Sequence, residues 1–243
     1  NGIVDVVPFI KSIEPTNQIR AMQLKSPPAV VNGVVVIGGT GNKFKDASSV
    51  NGAVRGFDAR TGKFLWAFDT LVRDEDTPGS LPYTVGGANV WTTMSVDSKR
   101  DLVFVPTASA APNFYGALRP GDNAYANSVL AIKASTGELA WHYQTIHHDI
   151  WDWDLPTHPM LVDVTTEEGK TPIVIQLGKT GMVYTFHRDT GEPYFEIKER
   201  PVSTDGILGD QLSPTQPFPV KPPPLVRQGI TPDDAWGVTP YER

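Results

Sequence analysis

Apolar residues recur in short bursts along this chain, each cut off by glycine, proline, aspartate or Thr-Gly. The run AVVNGVVVIGG (29–39) sets two β-branched stretches around Asn32-Gly33. That dipeptide accepts positive φ at both positions and so predicts a two-residue hairpin turn. Comparable stretches are AVRGFD (53–58), KFLWAFD (63–69), WTTMSVD (91–97), DLVFVP (101–106), SVLAIK (128–133), ELAWHYQ (138–144), PIVIQL (172–177) and MVYTFH (182–187). They are rich in β-branched and aromatic side chains and end at turn-forming residues, as strands do. No stretch keeps a convincing helical period beyond two turns. The chain therefore reads as all-β.

A repeat underlies this pattern. VRGFDARTGKFLWAFD (54–69), VLAIKASTGELAWHYQ (129–144) and VYTFHRDTGEPYFEIK (183–198) follow one plan of apolar strand, polar residue, Thr-Gly and aromatic strand. The glycine supplies the positive φ of a turn, and the late aromatic (Trp66, Trp141, Phe195) is placed to pack between neighbouring sheets. One hairpin repeated with a docking aromatic predicts radially arranged blades. The Thr-Gly pairs at 61–62, 136–137 and 190–191 lie 75 and 54 residues apart. A plain blade takes about 40–50 residues, so loops must be inserted. Segments 70–90 and 107–127, rich in Gly, Pro, Asn and Asp, are the candidates, and such loops carry ligand groups at the mouth of a propeller. Residues 1–211 read as a partial propeller of about four blades, and 212–243 as a proline-rich extended segment rather than sheet. By composition alone the latter is equally a flexible linker.

Charge and composition narrow the function classes. A formal net charge of −6 argues against nucleic acid or an anionic membrane surface as partner. The absence of cysteine removes disulfides, thiolate metal sites and cysteine nucleophiles. No apolar run reaches the ~20 residues that span a bilayer. Beginning at Asn1 without a methionine, the sequence is expected to be a mature or truncated piece.

The densest chemistry lies in HHDIWDWDLPTHP (147–159), which holds three of the five histidines, three aspartates and two of the six tryptophans. As a metal site it is poorly organised, because His148, Asp152 and His158 converge only through a bend. As acid–base chemistry it is better organised. If 150–154 is extended, Trp151 and Trp153 face one way and pack, while Asp152 and Asp154 face the other. A carboxylate beside indole surface loses hydration and becomes a better proton acceptor near neutral pH. The alternative is that Asp149, Asp152 and Asp154 cap turns. Lys179 follows an apolar strand directly, either facing a pocket that takes an anionic or quinonoid ligand or standing in solvent. Arg55 interrupts an apolar strand and needs a partner. Trp91 offers a flat stacking surface or ordinary core.

With these residues in view, the chain resembles the pyrroloquinoline-quinone-dependent dehydrogenases of the membrane glucose, quinate and shikimate type. The matching stretches include SPPAVVNGVVVIGG, GAVRGFDARTGKFLWAFD, NVWTTMSVDSKRDLVFVP, YQTIHHDIWDWDLP, GKTGMVYTFHRDTGEP and LSPTQPF, spread over nearly the whole chain. The resemblance implies an eight-bladed β-propeller with the quinone at its axis. It also implies oxidation of a sugar, polyol or cyclic alcohol in the periplasm at the inner membrane, with electrons passed to ubiquinone. Carried over by motif, Asp152 is the general base, Trp91 stacks on the cofactor, Asn89 makes a polar contact to it and Lys179 is the cation beside its oxygens. Gly39 and Thr40 fall where the family meets a cofactor carboxylate. The family holds a divalent ion, Ca²⁺ or Mg²⁺, partly through an Asp-Asn pair after GG. Here the chain reads TGNKFKDASSVNG, leaving Asn42 as the nearest metal ligand and Asp46 and Asn51 behind it.

The three repeats make about half of such a ring, so the isolated chain is expected to be inactive and to self-associate through open strand edges. Two other readings compete. One is a non-catalytic propeller that serves as a protein-binding scaffold, like the outer-membrane assembly lipoproteins that share the docking motif. The other is a carbohydrate hydrolase using Asp149 and Asp152 as a carboxylate pair.

Overall fold

The computed structural model describes residues 3, 5, 23–41, 52–72, 81, 85–167, 169–234, 236, 237 and 239. Strands β1 (Ala29–Val31), β2 (Val34–Gly38), β3 (Val54–Asp58) and β4 (Phe64–Phe68) form one antiparallel sheet in chain order. Strands β5 (Ser95–Asp97), β6 (Leu102–Pro106), β7 (Ser128–Lys133) and β8 (Leu139–Gln144) form a second sheet of the same plan. A third sheet holds β9 (Met160–Thr166), β10 (Gly169–Leu177) and β11 (Val183–His187), and β12 (Ile197–Pro201) pairs with β13 (Thr215–Pro219). The all-β reading and its meander topology hold.

The hairpin expected at Asn32-Gly33 is present, with φ of 48° and 81° at the two turn residues. Val31 and Val34 then face each other across the turn and both are buried. The three Thr-Gly turns share one backbone pattern. Gly62, Gly137 and Gly191 donate to the carbonyls of Asp58, Lys133 and His187, all at 2.8–2.9 Å.

Alternation along the middle sheet explains why the sheets stack. Val103, Val105, Leu130 and Ile132 enter one core with Val36, Val54 and Trp66 of the first sheet. Phe104, Val129, Ala131 and Trp141 point the other way, into a second core with Val174, Tyr184 and Phe186 of the third. A period of two thus buries both faces of one sheet, which is how adjacent propeller blades pack. The docking aromatics lock this stacking. Trp66 lies against Gly137 of the next turn and donates Nε1–H to the Ala134 carbonyl at 2.8 Å. Trp141 repeats the arrangement on Gly191, donating to the Arg188 carbonyl at 3.1 Å. The third repeat differs. Phe195 is half-buried against Tyr194, and β12 pairs with β13 instead of continuing the third sheet.

Three departures from the sequence reading have physical causes. Of 91–97 only 95–97 is strand, and the chain before it is tied instead to the 156–159 segment, Thr92 donating its hydroxyl to the Pro156 carbonyl at 2.8 Å. Strand β9 lies outside the predicted stretches and is paired along its whole length with β10. In the proline-rich segment, residues 215–219 are strand rather than free extended chain, with Pro217 opposite Glu199 and Pro219 opposite Ile197. A two-stranded ribbon tolerates proline because its outward N–H positions need no partner strand.

Candidate active site

Residues 147–154 form a loop between β8 and β9, and Asp152 has a φ of 59°. The loop is therefore not an extended strand, and the expected division of faces is replaced. Trp151 and Trp153 stack on one another with centroids 6.2 Å apart and lie 63% and 37% exposed, so they do not pack into a core. The aspartates take the inner side. Asp149 and Asp154 are buried, whereas the Asp152 side chain keeps 20% of its surface.

Asp154 is the hub of the site. Its Oδ2 accepts the Trp91 indole Nε1–H at 3.2 Å and the Lys179 ammonium at 3.2 Å, while its Oδ1 accepts the Ser109 amide at 2.9 Å. Lys179 stands two residues past β10, on a turn that its own backbone N–H fastens to the Asp154 carbonyl at 3.2 Å. From there its ammonium also reaches Asp152 Oδ2 at 2.8 Å. Burial pulls the Lys179 pKa down, but the bond from Asp152 and the charge of Asp154 outweigh it and hold the amine above the ordinary lysine value. Burial also pushes the Asp149 carboxyl up, against backbone bonds from Trp151 and Trp153 and the Asn127 amide.

Gly39, Thr40 and Asn89 lie together behind Trp91. The Val90 amide donates to the Gly39 carbonyl at 3.0 Å, and the Thr40 hydroxyl donates to the Val90 carbonyl at 3.4 Å. Asn89 is buried and clasps Gly41, accepting its N–H at 2.9 Å and donating to its carbonyl at 2.8 Å. These residues thus tie 39–41 to 89–91 and seat the tryptophan. Asn42, Asp46 and Asn51 lie outside the described residues. Among the described residues no cluster of three His, Asp or Glu side chains could hold a metal.

By motif the sequence singles out Asp152, Trp91 and Lys179, whereas Asp154 and Asp149 read equally as turn caps. Their roles depend on partners up to 63 residues away, as in the Trp91–Asp154 bond. The i+2 spacing from Asp152 to Asp154 was the available signal. A cavity of about 340 Å³ lies beside this site, lined by Trp151, Trp153, Met182, Tyr184 and Phe218 among others. Asp152, Lys179 and Trp91 are not among its walls.

The whole chain, residues 1–243, matches the family described as PQQ: Glucose/ethanol/alcohol dehydrogenase, beta-propeller domain. The chain belongs to this family. It is 36% identical over 230 residues to the quinoprotein glucose dehydrogenase of Escherichia coli, a match covering 90% of this chain and 28% of that protein. Identity to the quinate/shikimate dehydrogenase (quinone) of Acinetobacter baylyi is 33% over 247 residues, covering all of this chain and 30% of the relative. The solved quinohemoprotein alcohol dehydrogenase ADHIIG of Pseudomonas putida HK5 superposes with a TM-score of 0.62 at 28% identity, over 75% of this chain and 29% of that one. The chain therefore spans under a third of the length of the curated relatives it matches, and its fold is a part of the quinoprotein propeller.

Proposed function

We propose that the full-length protein is a quinoprotein dehydrogenase that oxidises a sugar, polyol or cyclic alcohol, with Asp152 as general base. The observation that carries this is the convergence of Asp152, Lys179 and Trp91 on the buried carboxylate of Asp154. The donor set fits pyrroloquinoline quinone, a flat polyanion. Trp91 supplies a half-exposed indole with its ring nitrogen tethered, and Lys179 supplies a fixed cation beside it. Pyrroloquinoline quinone held by Trp91 and Lys179 would supply the acceptor for the hydride of the alcohol carbon. Asp152 takes the hydroxyl proton; it keeps a solvent-facing part and is held by Lys179, which orients it without burying it. Lys179 also stabilises negative charge that develops next to it.

The remaining assignments rest on the family. Ubiquinone is the electron acceptor, Ca²⁺ or Mg²⁺ the metal, with Asn42 its ligand from this chain, and the periplasmic side of the inner membrane the location. No helix among the described residues is long and apolar enough to cross a membrane. The test is to add the quinone with Ca²⁺ or Mg²⁺ to the full-length protein and follow dye reduction with glucose, quinate, shikimate and polyols. Reduction with at least one of them, lost in Asp152→Asn, is the expected result. The absence of both turnover and quinone binding under all of these conditions refutes the reading.

A further inference from the structure

The backbone that carries Asp152 is itself held by a second carboxylate. A φ of 59° lies in the left-handed region, which is less favourable for a side-chain-bearing residue than for glycine and is kept here by its surroundings. The amides on both sides of Asp152 provide that hold. Trp151 N–H donates to Asp149 Oδ1 at 2.8 Å, and Trp153 N–H donates to Asp149 Oδ2 at 2.8 Å. The Asn127 side-chain amide braces the same Oδ2 at 2.8 Å and the Trp153 carbonyl at 3.1 Å. Asp149 is 3% exposed, and the fully buried Arg119 donates to its backbone carbonyl. With Trp151 and Trp153 stacked outward, the Asp152 carboxylate is the side chain of 151–153 that meets Lys179.

We infer that Asp149 is a positioning residue, which by gripping the flanking amides aims Asp152 at Lys179 and the substrate hydroxyl. This rests on the reading of Asp152 as general base. Both carboxylate oxygens are in use, so asparagine is no substitute. Its amide nitrogen would face an N–H at one of the two contacts.

The test uses the full-length protein loaded with pyrroloquinoline quinone and Ca²⁺, the substrate it oxidises best, and hydrogen exchange at the amides of 151 and 153. In Asp149→Asn, kcat per quinone-loaded site falls about 10²-fold while KM and quinone affinity change less than about threefold, since misaimed groups lose rate rather than binding. At least one of the two amides exchanges about tenfold faster. Val36→Ala, a core change in the first sheet, lowers the melting temperature but leaves kcat per loaded site within about twofold, which separates positioning from general destabilisation. Wild-type kcat in Asp149→Asn, or unchanged exchange at both amides, overturns the inference. If Asp149→Asn does not fold, Asn127→Ala removes one brace while keeping both amide bonds. A kcat about threefold or more below wild type at unchanged KM then supports the inference, and an unchanged kcat overturns it. Wild-type turnover in Asp152→Asn would instead remove the base assignment, whatever the exchange result.

Discussion

Lys179 and Asp152 are paired at 2.8 Å, and the same ammonium reaches Asp154 at 3.2 Å. One cation thus serves two carboxylates that stand two residues apart. Replacing it leaves two like charges near each other with no cation to offset them. For Lys179→Met in the full-length enzyme kcat at neutral pH therefore falls about 10²–10³-fold. Steady-state kinetics on a single substrate check this, and a kcat equal to wild type would separate Lys179 from the reactive carboxylate.

Asp154→Asn addresses the other end of the pair. The carboxamide oxygen can keep the Ser109 amide, which places the new N–H₂ where Trp91 Nε1–H and the Lys179 ammonium now donate. Donor then faces donor. The indole loses its tether, and quinone affinity falls about tenfold, or ~1.4 kcal/mol. Titration of tryptophan fluorescence with the quinone measures it, and an affinity equal to wild type would show that Trp91 is held by packing alone.

These two sites also show what the sequence can and cannot carry. Asn32-Gly33 and the Thr-Gly turns were legible because a turn is a local object, fixed by which residues accept positive φ. Alternating apolar runs were legible for the same reason. Strand β12, with the sequence IKERP, carries no such mark and exists through its partner β13, whose two prolines argue against a strand when read alone. The site divides likewise. Asp152, Trp91 and Lys179 stood out by motif, whereas the buried roles of Asp154 and Asp149 arise only when segments 107–109, 127 and 179 close around the 147–154 loop. The tryptophans of that loop were expected to pack and instead stack outside it, because Asp149 draws the backbone of 151 and 153 inward.

Gly137 tests the blade docking. A Cβ there would sit 2.6 Å from the Trp66 indole, and its φ of 79° is unfavourable for alanine. Gly33 has a similar φ of 81° with nothing within 4 Å of its absent Cβ. Gly33→Ala therefore reports the backbone cost alone, about 1–2 kcal/mol. Gly137→Ala adds displacement of the tryptophan, and its melting temperature drops below that of Gly33→Ala by at least about 2–4 °C. Differential scanning of the two variants decides it. Equal losses would mean that Trp66 moves aside freely and that the turn, not the docking, is what matters.

Asp97 fastens the second sheet to the third. Its Oδ2 accepts Arg188 Nη1 and Arg100 Nη1, each at 3.0 Å, and Arg188 continues to Asp163 at 3.1 Å. Burial pushes the Asp97 carboxyl up, yet the bonds from Arg188 and Arg100 outweigh burial and hold it below the ordinary aspartate value. A carboxyl with a depressed folded pKa stabilises fully above its unfolded value of about 3.9 and loses that contribution as pH falls through the folded value. Asp97→Asn removes the charge at every pH. The variant is weaker than wild type at pH 7 by about 1.5–3 kcal/mol, the range for hydrogen bonds to charged groups. That gap narrows as the pH drops below about 4, because wild type is then losing what the variant never had. Urea unfolding across this range gives the two curves. If they stay parallel down to the lowest pH at which the protein folds, the Asp97–Arg188 bond does not govern how the second and third sheets hold together in acid.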